Sequence, residues 1–229
     1  MPSASITTLL RLLKNSPHGP VFNPWWQVDD DNDIGPQAPR IRRAQLRAYL
    51  SERIGTARVA LVGEAIGYRG GHFSGIAMTS ERMLLGDKAR DGIEPRLILS
   101  SRTPQQTSDP QKYPRGFAEP TASIVWGTLL ELGLRAERFV LWNAFAWHSH
   151  AARAGMLSNR TPTPAEMAAA LPVLRAFLVL FPCERVVALG RLAAAALASL
   201  HVPLECVRHP ASGGAALFRK QISAIVRAL

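Results

Sequence analysis

Residues 58–75 read "RVALVGEAIGYRGGHFSG", a short apolar run that breaks into a loop with five glycines, one glutamate, one tyrosine and one histidine. A run this continuously apolar suits a strand buried on both faces, because a strand with one wet face alternates apolar and polar residues. Similar runs recur at "RFVLWN" (138–143), "RVVALG" (185–190) and "LECVRH" (204–209). Helical patterns lie between them. Thr163, Pro164 and Glu166 form a capping box with proline at the first helical position, and Met167, Leu171 and Leu174 follow at helical spacing. Pro172 is expected to kink or split that helix. "GRLAAAALASL" leaves the third run, and Phe218, Ile222, Ile225 and Leu229 mark one face of a C-terminal helix. Alternating strands and helices call for crossovers and hence parallel neighbours. The predicted fold is therefore α/β, a three-layer α/β/α sandwich around a central, mainly parallel four-stranded sheet.

The 229 residues, 47% of them hydrophobic, can fill one core, so a single domain is expected over 1–229 with an N-terminal extension over 1–55. Within that extension, "SITTLLRLLKN" places Ile6, Leu9, Leu10 and Leu13 on one side of an amphipathic surface helix, and Arg11 breaks any signal-like core. No stretch nears the roughly 20 apolar residues of a membrane span, so the expectation is a soluble, cytoplasmic monomer, nucleoid-associated if bacterial. Trp25 and Trp26 are expected to pack. The proline-rich stretch 100–120 has no apolar period and reads as a surface flap. Cys183 and Cys206 are the only cysteines and form no CxxC pair, which excludes an iron–sulfur cluster or a cysteine-rich zinc site. His148 and His150 lack a third ligand at suitable spacing, so neither metal nor cofactor is expected. Lys and Arg outnumber Asp and Glu by 27 to 17, a formal charge of +10. With the acidic run "DDDND" set apart near Asp29, the remaining surface points to a polyanionic partner, nucleic acid first.

Ligands of parallel sheets bind beyond the carboxyl ends of the strands, which directs attention to the residues that follow each run. Glu64 follows the first, Asn143 ends the second, and His209 ends the fourth. The glycine loop can serve a tight turn, a phosphate or a planar ring. It lacks both GxxxxGK[ST] and GxGxxG, so a nucleoside triphosphate or dinucleotide is disfavoured, whereas bare main chain at Gly63 suits a nucleobase. The Asn143 carboxamide offers a donor beside an acceptor, the complement of uracil at O4 and N3–H. His209, in "HPASGG", is placed to stabilise charge on a departing base. Each residue alone also has a plain reading: a turn glycine, a turn asparagine, a satisfied loop histidine.

Together the segments resemble the uracil-DNA glycosylase superfamily from about Arg58 to the C-terminus. "GEAIG" is similar to the first signature in its GEAPG form, "VLWNAFAW" to the strand whose asparagine reads the base, "NRTPTPAEM" to the NRxPTPEE phrase, and "RHPASGG" to the HPS signature. The resemblance implies a cluster-free relative, since two cysteines replace the four of cluster-binding branches. It implies Glu64 and His209 as catalytic residues, Glu64 orienting water or stabilising a sugar cation. It implies Gly63, Tyr68, Phe73 and Asn143 as base-binding, with Phe73 stacking on the flipped base and Tyr68 excluding a thymine methyl. Arg69, Arg208, Ser212, Gly213 and Lys220 are the implied DNA contacts, and Leu217 is the leucine considered as an intercalating wedge. Ala65 stands where the GQDPY branch has its water-positioning aspartate, and Ala211 where serine is usual.

The activity implied is that of a monofunctional DNA repair glycosylase, which flips uracil out of DNA and hydrolyses its N-glycosidic bond to leave an abasic site. Two other classes fit the same rim. One is a catalytically weak module that binds damaged or single-stranded DNA; the other is an enzyme of free nucleotides.

Overall fold

The computed structural model describes residues 5–229. In chain order its elements are α1 (Ile6–Leu13), β1 (Val21–Phe22), α2 (Ala38–Ser51), β2 (Val59–Ile66), α3 (Gly71–Ser74), α4 (Glu81–Leu84), α5 (Pro95–Ile98), α6 (Pro120–Glu131), β3 (Phe139–Ser149), α7 (Pro164–Leu180), β4 (Arg185–Leu189), α8 (Arg191–Ser199), β5 (Glu205–Val207) and α9 (Ala215–Arg227). The strands form one sheet in the order β1-β3-β2-β4-β5. All pairings are parallel except β1 with β3.

This is the expected α/β fold with one strand more than the four predicted. The fifth, β1, has only two residues, too short for a periodic signal. It pairs Val21 with Ser149 and Phe22 with His148. That pairing accompanies a second difference. β3 does not end at Asn143 but runs to Ser149 with every residue buried, so Asn143 lies in mid-strand. Right-handed crossovers across this strand order put α6 on one face of the sheet and α7 with α8 on the other. The fourth apolar run yields a strand of three residues on the sheet edge, where Cys206 is exposed rather than serving as packing.

The helices follow their local signals. Thr163 and Glu166 close the predicted capping box, with the Thr163 hydroxyl accepting from the Glu166 N–H and the Glu166 carboxylate from the Thr163 N–H. Pro172 does not split α7, which is continuous over 17 residues. Pro172 and Ala168 are both exposed, so the carbonyl that loses its partner meets water. In α1, Leu9, Leu10 and Leu13 are buried, so this helix belongs to the main core. Trp25 is fully buried and donates to the Gly75 carbonyl at 3.1 Å; Trp26 lies under the Arg43 guanidinium.

Residues 100–119 are not a free flap. The Glu81 carboxylate accepts from the N–H groups of Thr107 (2.7 Å) and Ser108 (3.0 Å) and from the Ser108 hydroxyl (2.5 Å), which pins the middle of the segment in the interior. Phe117, near its end, stacks on Phe73 at 4.4 Å. The acidic run is likewise structural. Asp33 pairs with the buried Arg42 at 2.6 Å, and Asp29 accepts from Asn32 and faces His72 at 3.2 Å.

Candidate functional site

At the carboxyl end of β2, against the middle of β3 and beside the loop after β5, lies a cavity of about 380 Å³. Gly63, Glu64, Asn143 and His209 all line it, so three distant segments do meet. The meeting depends on register. Gly63 sits opposite Asn143 in the β2–β3 ladder, and a Cβ on Gly63 would stand 2.6 Å from Asn143 Oδ1. Only glycine leaves that carboxamide in place. Asn143 is 2% exposed and its Nδ2 has no hydrogen-bond partner among the described residues, a buried donor held without an acceptor there. A β-bulge between Ala65 and Ile66 then turns the chain out of the sheet into the glycine loop.

His209 is half-buried. Its Nδ1 accepts from the Ala211 N–H at 3.2 Å, which leaves the proton of the neutral ring on Nε2. Burial, with the neighbouring Arg208 charge, lowers its pKa and favours that neutral form. Burial raises the pKa of Glu64, and a hydrogen bond from Thr161 opposes the rise.

Two predicted base-binding residues lie elsewhere. Phe73 is fully buried, stacked on Phe117 and tilted against His72 at 4.2 Å, because α3 winds its ring inward onto residues 100–119. Met78 takes a place on the wall instead. Gly75 reverses the chain with φ of 74°, Met78 itself adopts φ of 47°, and its Sδ lies 3.4 Å from the point where a Gly63 Cβ would be. Tyr68 is also off the cavity wall. Its ring meets Phe117 edge-on, and its hydroxyl accepts from Arg69 Nε at 2.9 Å.

The predicted DNA contacts are all exposed. Arg69 and Arg208 are exposed, as are Ser212 (φ 52°) and Gly213 (φ 76°) in the loop beside His209. That loop runs directly into α9, whose first turn exposes Leu217. Lys220 is exposed on α9, about 7.5 Å along the axis from its first residue.

Several cavity residues escaped the sequence reading: Met78, Glu119, Asn159 and Thr161. Asn159 and Thr161 belong to the "NRTPTPAEM" phrase, which was a usable signal. Asn159 Oδ1 accepts from the Tyr68 N–H at 3.0 Å and braces the glycine loop. Glu119 carried no signal, since it closes a segment without periodicity. Of the histidines, His148 is buried 2.9 Å from His72, its Nε2 donates to the Ser158 carbonyl, and burial pushes its pKa down to about 3. A larger depression of about 540 Å³ lies at the opposite end of the sheet, where the exposed Arg58–Glu184 pair occupies its charges.

The fold recurs among solved proteins. The crystal structure of wild-type SMUG2 from Pedobacter heparinus shares the fold with a TM-score of 0.61 at 14% identity, over 97% of each chain. No curated protein matches the chain in sequence. The profile described as "Uracil DNA glycosylase superfamily" matches residues 52–226, a span that holds β2 through β5 and every wall of the cavity. This chain belongs to the uracil DNA glycosylase superfamily.

Proposed function

We propose that the protein excises uracil from DNA, leaving an abasic site. The observation that carries this reading is the unpartnered Asn143 Nδ2 beside the bare backbone of Gly63. A carboxamide in this setting pairs with a ring edge that offers a carbonyl next to an N–H, as uracil does. Cytosine would set an amino group against the amide donor and leave both unsatisfied, which is the costly kind of mismatch.

In this reading the exposed basic groups Arg69, Arg208 and Lys220 hold backbone phosphates, together with the Ser212–Gly213 loop and the amino end of α9. Leu217 fills the space left in the stack. The everted ring lies against Met78, whose polarisable sulfur suits an aromatic face. As the glycosidic bond lengthens, Glu64 stabilises the cationic sugar and the His209 Nε2–H stabilises charge on the leaving ring.

The test incubates the protein with oligonucleotides bearing uracil, hypoxanthine or a thymine mismatch, followed by alkaline cleavage of abasic sites. Cutting at uracil only is expected. Asn143→Ala and His209→Ala should each lose about a hundredfold or more in rate, and Glu64→Ala should be strongly reduced. Full activity in the Asn143 and His209 variants would refute the site. Tight binding without abasic product in the wild type would select the binding module.

A further inference from the structure

Hydrolysis needs an acceptor for the proton of the attacking water, and the β2 wall has no obvious one. Ala65 has no polar side chain, and in the proposed reading Glu64 is committed to the cationic sugar. Asn143 and His209 are engaged by the base in the proposed reading. One further carboxyl lines the cavity, that of Glu119.

Its setting is unusual. Glu119 is the N-cap residue of α6, yet its side chain makes no capping bond. It has no hydrogen-bond or ion-pair partner among the described residues, and Oε2 is sealed from solvent in that condition. The glycine loop leaves room for it: a Cβ on Gly70 would collide with Oε2, and a Cβ on Gly67 would lie 3.9 Å from Oε1. A carboxyl oxygen buried without a donor costs stability.

Resting on the reading of this cavity as a uracil-excision site, we infer that Glu119 is the general base, reached across the cavity from the end of the 100–119 segment. Water forms its bond to C1′ of the sugar as the C1′–N1 bond breaks. The electron pair of that bond leaves with the uracil ring, where His209 faces it, and the water proton passes to Glu119. The uracil anion is then protonated from solvent, so no co-reactant is required.

Burial holds the Glu119 carboxyl up at about 7. A base with a pKa near the working pH combines a useful deprotonated fraction with proton affinity. The other ionisable groups on this wall are Glu64, His209 and Arg160, and the last is neutralised by Glu166 at 2.6 Å. A base acts when deprotonated, so the rate should rise with pH through about 7 and level off above it.

Single-turnover excision from a uracil oligonucleotide, measured from pH 5.5 to 9 alongside binding of the same oligonucleotide, tests this. Glu119→Gln is expected to lose about a hundredfold in rate and the rising limb near neutrality, with affinity unchanged. A variant that keeps both the rate and the limb overturns the inference while leaving uracil excision intact. A wild type that releases no uracil overturns both. Should Glu119→Gln melt before the assay, Glu119→Ala with added formate decides: partial recovery of rate supports the base role, and none overturns it.

Discussion

Among single residues, Gly63 has the narrowest tolerance. Its side-chain position is already filled by the Asn143 carboxamide, so Gly63→Ala should push that amide from its seat without disturbing the apolar β2 residues before it. We expect at least a hundredfold fall in kcat/KM for uracil excision with little change in melting temperature; an unaffected rate would show that the amide does not read the base. Gly63, Asn143 and His209 were legible because their chemistry is unusual for the places they occupy along the chain. Met78 rather than Phe73 lines the cavity, a difference hidden in the sequence because both are apolar residues in or just after a glycine loop. Which of them faces the cavity is decided by one turn of helix and the reversal at Gly75.

The segment 100–119 shows how much one element can depend on a side chain outside it. Its composition reads as loose, yet the Glu81 carboxylate holds Thr107 and Ser108, and the far end delivers Phe117 to Phe73 and Glu119 to the cavity. Glu81→Ala orphans two buried N–H groups and a hydroxyl, so a loss of about 2–4 kcal/mol is expected in denaturant unfolding. Limited proteolysis should then cut within 100–119 before the rest of the chain. An intact segment would mean that the aromatic stack alone restrains it. Helix α7 is the opposite case, since its cap and its proline were both readable. Only the consequence of Pro172 differed, because the freed carbonyl faces water rather than a neighbour.

Across the molecule, the formal charge of +10 understates the basic surface, because among the described residues four buried carboxylates, Asp29, Asp33, Glu81 and Glu166, outnumber two buried arginines, Arg42 and Arg53. If Arg69, Arg208 and Lys220 each neutralise a phosphate, the logarithm of DNA affinity should fall against the logarithm of salt concentration with a slope of about −3, and Lys220→Ala should reduce it by about one. A flat salt response would place the DNA elsewhere. By itself the sequence determined the alternation of strands and helices, the mainly parallel sheet and four of the residues that share the cavity, because burial period and unusual rim chemistry are local properties. The tertiary structure alone decided the antiparallel edge strand, the mid-strand position of Asn143, the exchange of Phe73 for Met78 and the arrival of Glu119. Each of these follows from which distant segment packs beside which, and no spacing along the chain encodes that.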